Sequence, residues 1–495
     1  MHSPESRQSN FPTVLLIAFA LATGSSSVYA LGFYAGHWYV YLLFSLLANA
    51  LLAMGFRKKA IFFDAFIGVF FWLGFWLKLT SRIIFTKGQF SEAVGTFDHS
   101  GAAFDRGLLV ASCGMLGLIL ASLLRQRYFH YADKHDGSIY QPGLYAFYCK
   151  HRKILWLGYF LLAAFIGLSN LYFGIYQRGE VAQTILPFHM SGIYKWLLLF
   201  GLSAFAALMF KFEYVVNQKR TLSLALISLL ESCLTNVSLL SRGMILNTSA
   251  LFYGLMVNLR FRGVRSRLQF FGVIACAFVV LFVGSVLTVN YLRSEGSILA
   301  LMGAPSVHQQ GEAALSTERS ISVSLDMAPP LFVDRWVGIE GVLAVSSHDA
   351  LGWDLWRQAW AERYTESSTS FYDLNLITSP YLTMDSTKNH FISLPGIVAF
   401  CFYPGSFLFL LFAVLVTGLA AGAVEFLVFR FCGRNLILCS LFGQIVAYRL
   451  CSFGYVPNQT YLLFGTIGLN IILIYFAEKF LSSRSKNGHS LHLAK

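Results

Sequence analysis

Apolar runs about as long as a bilayer crossing recur from one end of this 495-residue chain to the other, and no other feature limits its fold so strongly. A helix needs roughly 20 apolar residues to cross about 30 Å of hydrocarbon, and it is one of the few structures that satisfies every backbone polar group there. Measured against that length, the sequence predicts about twelve helices, near 12–33, 37–56, 60–80, 105–124, 154–174, 193–211, 221–240, 243–259, 268–290, 404–429, 435–454 and 459–478. Only 12% of residues are charged, against 56% hydrophobic and a mean hydropathy of +0.61, too few charges to cover a water-soluble globule. The first run, from Phe11 to about Phe33, lacks a strongly basic leader and a clear cleavage site, and is expected to remain as a helix.

Charge placement orients these helices. Every second connection is basic: Arg57, Lys58 and Lys59; Arg125 to Lys153; Lys211, Lys219 and Arg220; Arg260, Arg262, Arg265 and Arg267; Arg430 and Arg434; and finally Lys479, Arg484 and Lys486. The positive-inside rule then predicts cytoplasmic N- and C-termini. The net charge of +13 is thus a property of membrane orientation and points to no nucleic-acid partner. The eight cysteines lie in spans or on expected inner loops, so a disulfide framework is not predicted. Residues 291–390 read as a soluble outer loop, with twelve acidic against six basic residues. Within it Trp353, Trp356 and Trp360 fall at helical spacing, as in an amphipathic helix lying at the membrane interface or packed on its own subdomain. The chain therefore divides into 1–290 with nine spans, the loop at 291–390, and 391–495 with three spans and a cytoplasmic end.

No Gly-rich phosphate loop, CxxC, HExxH or GxSxG pattern is present, and His and Cys are too scattered to predict a metal site or a cofactor. Charges near the outer boundary carry the interest, because each costs free energy to place there. Arg242, in Ser241-Arg242-Gly243, sits in a short turn between two spans, where it can bind an anion, snorkel, or pair with Glu231. Arg335 and Glu340, in Arg335-Trp-Val-Gly338-Ile-Glu340-Gly341, form either an ordinary surface ion pair or a phosphate ligand beside a carboxylate base. His390 stands before the next span as a base, a phosphate donor or an interface anchor. Arg82, Arg178, Arg293, Arg319 and Arg449 are weaker members of this outer set, and Asp64 reads as a buried polar partner.

The Ser241-Arg242-Gly243 turn, the long outer loop before the last three spans, and Asn389-His390 ahead of the Gly396 to Gly405 stretch resemble the O-antigen polymerase and O-antigen ligase superfamily of bacterial envelope glycosyltransferases. Ligases usually carry His followed by Asn, the reverse of Asn389-His390, whereas Arg335 to Gly341 is similar to a segment of repeat-unit polymerases. The resemblance implies an all-α polytopic, GT-C-like membrane fold in the bacterial inner membrane, with a site facing the periplasm. It further implies polymerisation of undecaprenyl-pyrophosphate-linked oligosaccharide repeat units into O-antigen or a related surface polysaccharide. Donor and acceptor would both be lipid-linked, a chain-length regulator in the membrane would be a partner, and no metal or cofactor would be required. On this reading Arg242 and Arg335, with Arg82, Arg319 and Arg449 as further candidates, bind the pyrophosphate, while Glu340 or His390 is the base. The rivals are an O-antigen ligase, a twelve-span transporter or flippase of lipid-linked oligosaccharide, and a non-catalytic scaffold.

Overall fold

The computed structural model describes residues 11–90, 92–131, 141–216, 221–241, 243, 245–261, 276–285, 287–289, 291–292, 336–364, 369–379, 390 and 392–492. Among them there is no β-strand, and the chain is a helical membrane protein. Helices α1 (Phe11–Leu31) and α2 (Trp38–Gly55) are followed by α3 (Phe62–Phe71), which runs through a π-helical turn at Trp72–Leu77 into α4 (Lys78–Thr86). Next come α5 (Gly101–Arg125) and α6 (Pro142–Phe173), then α7 (Ser191–Trp196), joined through a second π-turn to α8 (Leu202–Val216). They are followed by α9 (Thr221–Ser238), α10 (Ile245–Phe261) and an apolar helix α11 over Cys276–Val289. Past the long connection lie the short helices α12 (Ile339–Ser346), α13 (Trp353–Trp360) and α14 (Gly396–Cys401), and then α15 (Phe407–Phe431), α16 (Leu436–Cys451) and α17 (Thr460–His492). Seven of the described helical runs are long and apolar enough to cross a membrane, and four shorter apolar helices accompany them.

Local chemistry marks several helix starts. Ser100, Ser406 and Asn435 each occupy an N-cap and accept from a backbone N–H two or three residues on, filling donors that the first turn leaves open. α16 is the central helix, packed on α3, α8, α10 and α15, and most of its residues are buried. The periphery is apolar in the opposite direction. On α15, Leu408, Phe412 and Val416 recur every four residues and are 66%, 56% and 59% exposed, while Leu410, Val414 and Gly418 face inward. In water such a stripe would be an association patch; against lipid it costs nothing.

Acids within the bundle are matched to donors. Glu425 accepts from the N–H groups of Phe62 and Phe63, both at 2.8 Å, at the start of α3. Glu478 does the same for Gly143 and Leu144 at the start of α6, at 3.0 and 2.8 Å. Asp64 bonds Arg125 and Ser122, as a buried polar partner should. These pairings lie at one end of the bundle, with Lys59, Arg125, Arg430 and Arg434, here called the basic end.

Three expectations change. The third span continues to Thr86 rather than stopping near 80, taking Arg82 into the helix. α6 starts at Pro142, so Lys150, Arg152 and Lys153 are helical rather than in a loop, and Arg152 pairs with Glu213. Hydrophobicity locates the lipid-crossing part of a helix, not its ends. The third concerns one helix of the connection read as a soluble outer loop: α12 packs into the bundle. Ile339, Val342, Leu343, Ala344 and Val345 of α12 are fully buried, wedged between the π-turn, α5 and α14. Glycines make the wedge possible: a Cβ on Gly74 would stand 2.5 Å from the Val337 carbonyl oxygen, and one on Gly341 would strike Pro395. α13 lies over the same end, with Trp353 and Trp356 against Phe409 and Trp360 against Phe400, while Trp353 and Trp360 stay nearly half exposed.

Candidate functional site

The end of the bundle opposite the basic end carries α12, α13, residue 390 and the turn after α16, and most of the described candidate residues meet here. Arg449 lies in the last turn of α16 and is partly buried. Arg178 lies near enough for its positive charge to act on that of Arg449. Arg178 is carried by the loop after α6, which is tied to the α9–α10 turn by a backbone bond from Arg178 N to Leu239 O of 2.9 Å. Ser241 and Gly243 of that turn sit beside Arg178 and the Tyr448 hydroxyl. Among the described residues Arg449 has no hydrogen-bond or ion-pair partner. Two neighbouring cations at the edge of an apolar bundle favour a bound anion, and guanidinium is suited to bidentate contacts with phosphate oxygens.

His390 joins the same cluster. Its backbone N donates to Gly179 O at 3.0 Å, one residue from Arg178, and its Nε2 lies 2.9 Å from the Tyr455 hydroxyl. The Tyr364 ring is 5.5 Å from the imidazole. Burial raises the Tyr455 phenol above its ordinary value, so the hydroxyl keeps its proton while it shares a hydrogen bond with Nε2. The Tyr455 turn is held in turn by Glu362, whose carboxylate accepts from Val456 N at 2.7 Å and from Phe371 N at 2.5 Å. Burial raises the Glu362 carboxyl, and these two amide donors oppose the rise.

Glu340 is placed differently. It is 7% exposed and forms an ion pair with Lys78 of α4 at 2.5 Å, while the Lys78 ammonium also donates to the Trp336 carbonyl at 2.8 Å. Burial raises the Glu340 carboxyl and the Lys78 ammonium pulls it back. Arg82 lies one turn beyond Lys78 on the same helix face. The pair is linked to the arginine cluster by aromatic contacts: the Trp336 ring stacks on Phe70 at 5.8 Å, and Phe70 meets Tyr448 edge-on at 6.0 Å. Arg242, Arg319 and Arg335 lie outside the described residues.

Three residues of this end were not singled out from sequence. Lys78 carried a readable signal, a lone lysine inside an apolar run. Asp373 is fully buried and accepts from Ser370 Oγ at 2.6 Å and Ser393 N at 2.9 Å, fixing the stretch of chain just after His390. Its signal was the Ser370-x-x-Asp373 spacing of a capping box, of which one half forms, with Asp373 N donating to Ser370 Oγ at 3.0 Å. Tyr455 carried none, because its role depends on a residue 65 positions away. Comparison of the chain with protein-family models, with curated proteins and with solved structures finds no match to any of them.

Proposed function

We propose that this membrane protein is a glycosyltransferase that lengthens a polyisoprenyl-pyrophosphate-linked glycan, an O-antigen-type repeat-unit polymerase of the bacterial inner membrane. The observation that carries the reading is the meeting of Arg449 and Arg178 with His390 at one end of the bundle. The even alternation of basic connections would turn that end to the periplasm, where both lipid carriers are expected. The reaction forms a bond from the donor's anomeric carbon to an acceptor hydroxyl oxygen and breaks the bond from that carbon to pyrophosphate. Charge develops on the leaving pyrophosphate, and fixed cations near it stabilise the transition state more than the ground state. Arg449 and Arg178, with Arg242 from the adjoining turn and Arg335 from the long loop, are assigned to the pyrophosphate. His390, held through Nε2 by Tyr455, takes the proton of the acceptor hydroxyl on Nδ1. Glu340 is the alternative base; its carboxylate is already committed to Lys78, which favours His390.

The test is glycan laddering in cells that lack the endogenous protein, complemented at matched membrane levels with wild type, Arg449→Ala, Arg242→Ala, Arg335→Ala, His390→Ala or Glu340→Gln. Wild type restores long polymer, and the arginine variants leave single repeats on the surface lipid. Loss of even single repeats from the surface would favour flipping or ligation, and full ladders from every variant would reject the assignment.

A further inference from the structure

A second cleft, unconnected with the reaction above, lies at the basic end between the start of α6, the end of α15 and α17. It encloses about 550 Å³ and presents Arg430, Arg434 and Lys479, with Phe431 and Tyr475 forming one wall. Those two rings meet edge-on at 6.0 Å and are 39% and 43% exposed, so the wall opens towards lipid. The cleft's one carboxylate, Glu478, is occupied by the amides of Gly143 and Leu144 and by Ser482 Oγ at 2.5 Å. Neither Arg430 nor Lys479, both exposed, has an ion-pair partner among the described residues.

Gln141 supplies an independent sign of a ligand. It lines the cleft and is 1% exposed. Its Oε1 accepts from Lys211 Nζ at 2.9 Å, yet its buried amide nitrogen has no hydrogen-bond partner. Leaving such a donor unpaired costs about 1 to 3 kcal/mol, so the group calls for an acceptor. Gly433 makes room for it, since a Cβ there would collide with the Gln141 side chain. Three cations and an open amide donor select an anionic acceptor, and the aromatic wall selects one attached to an acyl chain. We propose that this cleft binds the phosphate of an anionic phospholipid, with the headgroup among Arg430, Arg434, Lys479 and Gln141 and a chain along Phe431 and Tyr475.

Native mass spectrometry of the full chain, released from detergent with phosphatidylglycerol or phosphatidylcholine, tests this. Wild type should retain phosphatidylglycerol in preference, because choline cancels the phosphate charge in the other lipid. Arg430→Gln/Lys479→Gln, which changes only exposed side chains, should weaken retention about thirtyfold, roughly fivefold per charge. Gly433→Ala should weaken it by displacing Gln141. Equal retention of both lipids, or a double variant that holds phosphatidylglycerol like wild type, would overturn the proposal. Inorganic phosphate titrated into the complex separates the sources: no displacement supports the lipid, and displacement at millimolar phosphate refutes the contribution of the aromatic wall.

Discussion

Replacing Lys78 by methionine keeps the length of the side chain but leaves the Glu340 carboxylate buried without its cation, and leaves the Trp336 carbonyl without its donor. Breaking a buried pair in this way costs about 3 to 5 kcal/mol, whereas replacing both partners by apolar groups of similar volume is close to neutral or stabilising. Lys78→Met and Glu340→Met should therefore each destabilise strongly, and Lys78→Met/Glu340→Met should recover most of the loss, a coupling of several kcal/mol. The pH dependence has a definite sign. Without Lys78, only a backbone hydrogen bond at Glu340 opposes the burial that raises its carboxyl. A group whose folded-state pKa exceeds its unfolded value, about 4.3 for Glu, loses stability as pH climbs from the lower value to the higher. The cost of Lys78→Met should thus grow as pH rises above the unfolded value of about 4.3, and that of the double variant should not. Reversible SDS unfolding in mixed micelles, followed by tryptophan fluorescence, measures each species. Additive single costs, or a Lys78→Met penalty that shrinks as pH rises, would refute the reasoning.

Two further outcomes are expected from the fold. Gly338→Ala should cost about 1 to 3 kcal/mol, since a Cβ there would collide with the Gly74 backbone and lift α12 out of its seat; the same unfolding assay reads it, and an unchanged midpoint would contradict the tight backbone approach. Trp353 and Trp360, nearly half exposed at one end of the bundle, should be quenched more by lipids brominated near the headgroup than near the chain terminus; Trp353→Phe should remove part of that shallow quenching, and equal quenching at both depths would place α13 elsewhere.

The crossing helices could be read in advance because lipid imposes one length and one polarity, and the run from Phe407 to Phe431 obeys both. The helical turns beyond the apolar runs could not. α6 gains about three turns up to Lys153 because a helix needs no apolar neighbours once its Glu478 cap and Arg152–Glu213 pair are in place. α12 escaped recognition because an eight-residue apolar helix is too short to cross and looks like loop; the close backbone approaches at Gly338 and Gly341 emerge only from its packing. At the site, Arg449, Arg178 and His390 each stood out as charges at the outer boundary. Their meeting could not be foreseen, because it depends on the backbone bonds from Arg178 to Leu239 and from His390 to Gly179, which join three separate segments. Lys78 shows the opposite case, a legible oddity whose partner, 262 positions on, only the packing of α12 supplies.

The most direct test of the proposed activity uses purified protein in proteoliposomes with the host's undecaprenyl-pyrophosphate-linked repeat unit as the only glycan, tracking released undecaprenyl pyrophosphate and glycan length together. A polymerase should yield the two in step; Arg449→Ala should slow both by about 10² to 10³, as expected for loss of a donor to the developing charge, and Arg449→Lys should recover part of the rate. Wild-type protein that is folded and accessible yet releases no carrier and forms no longer glycan would contradict the proposed activity.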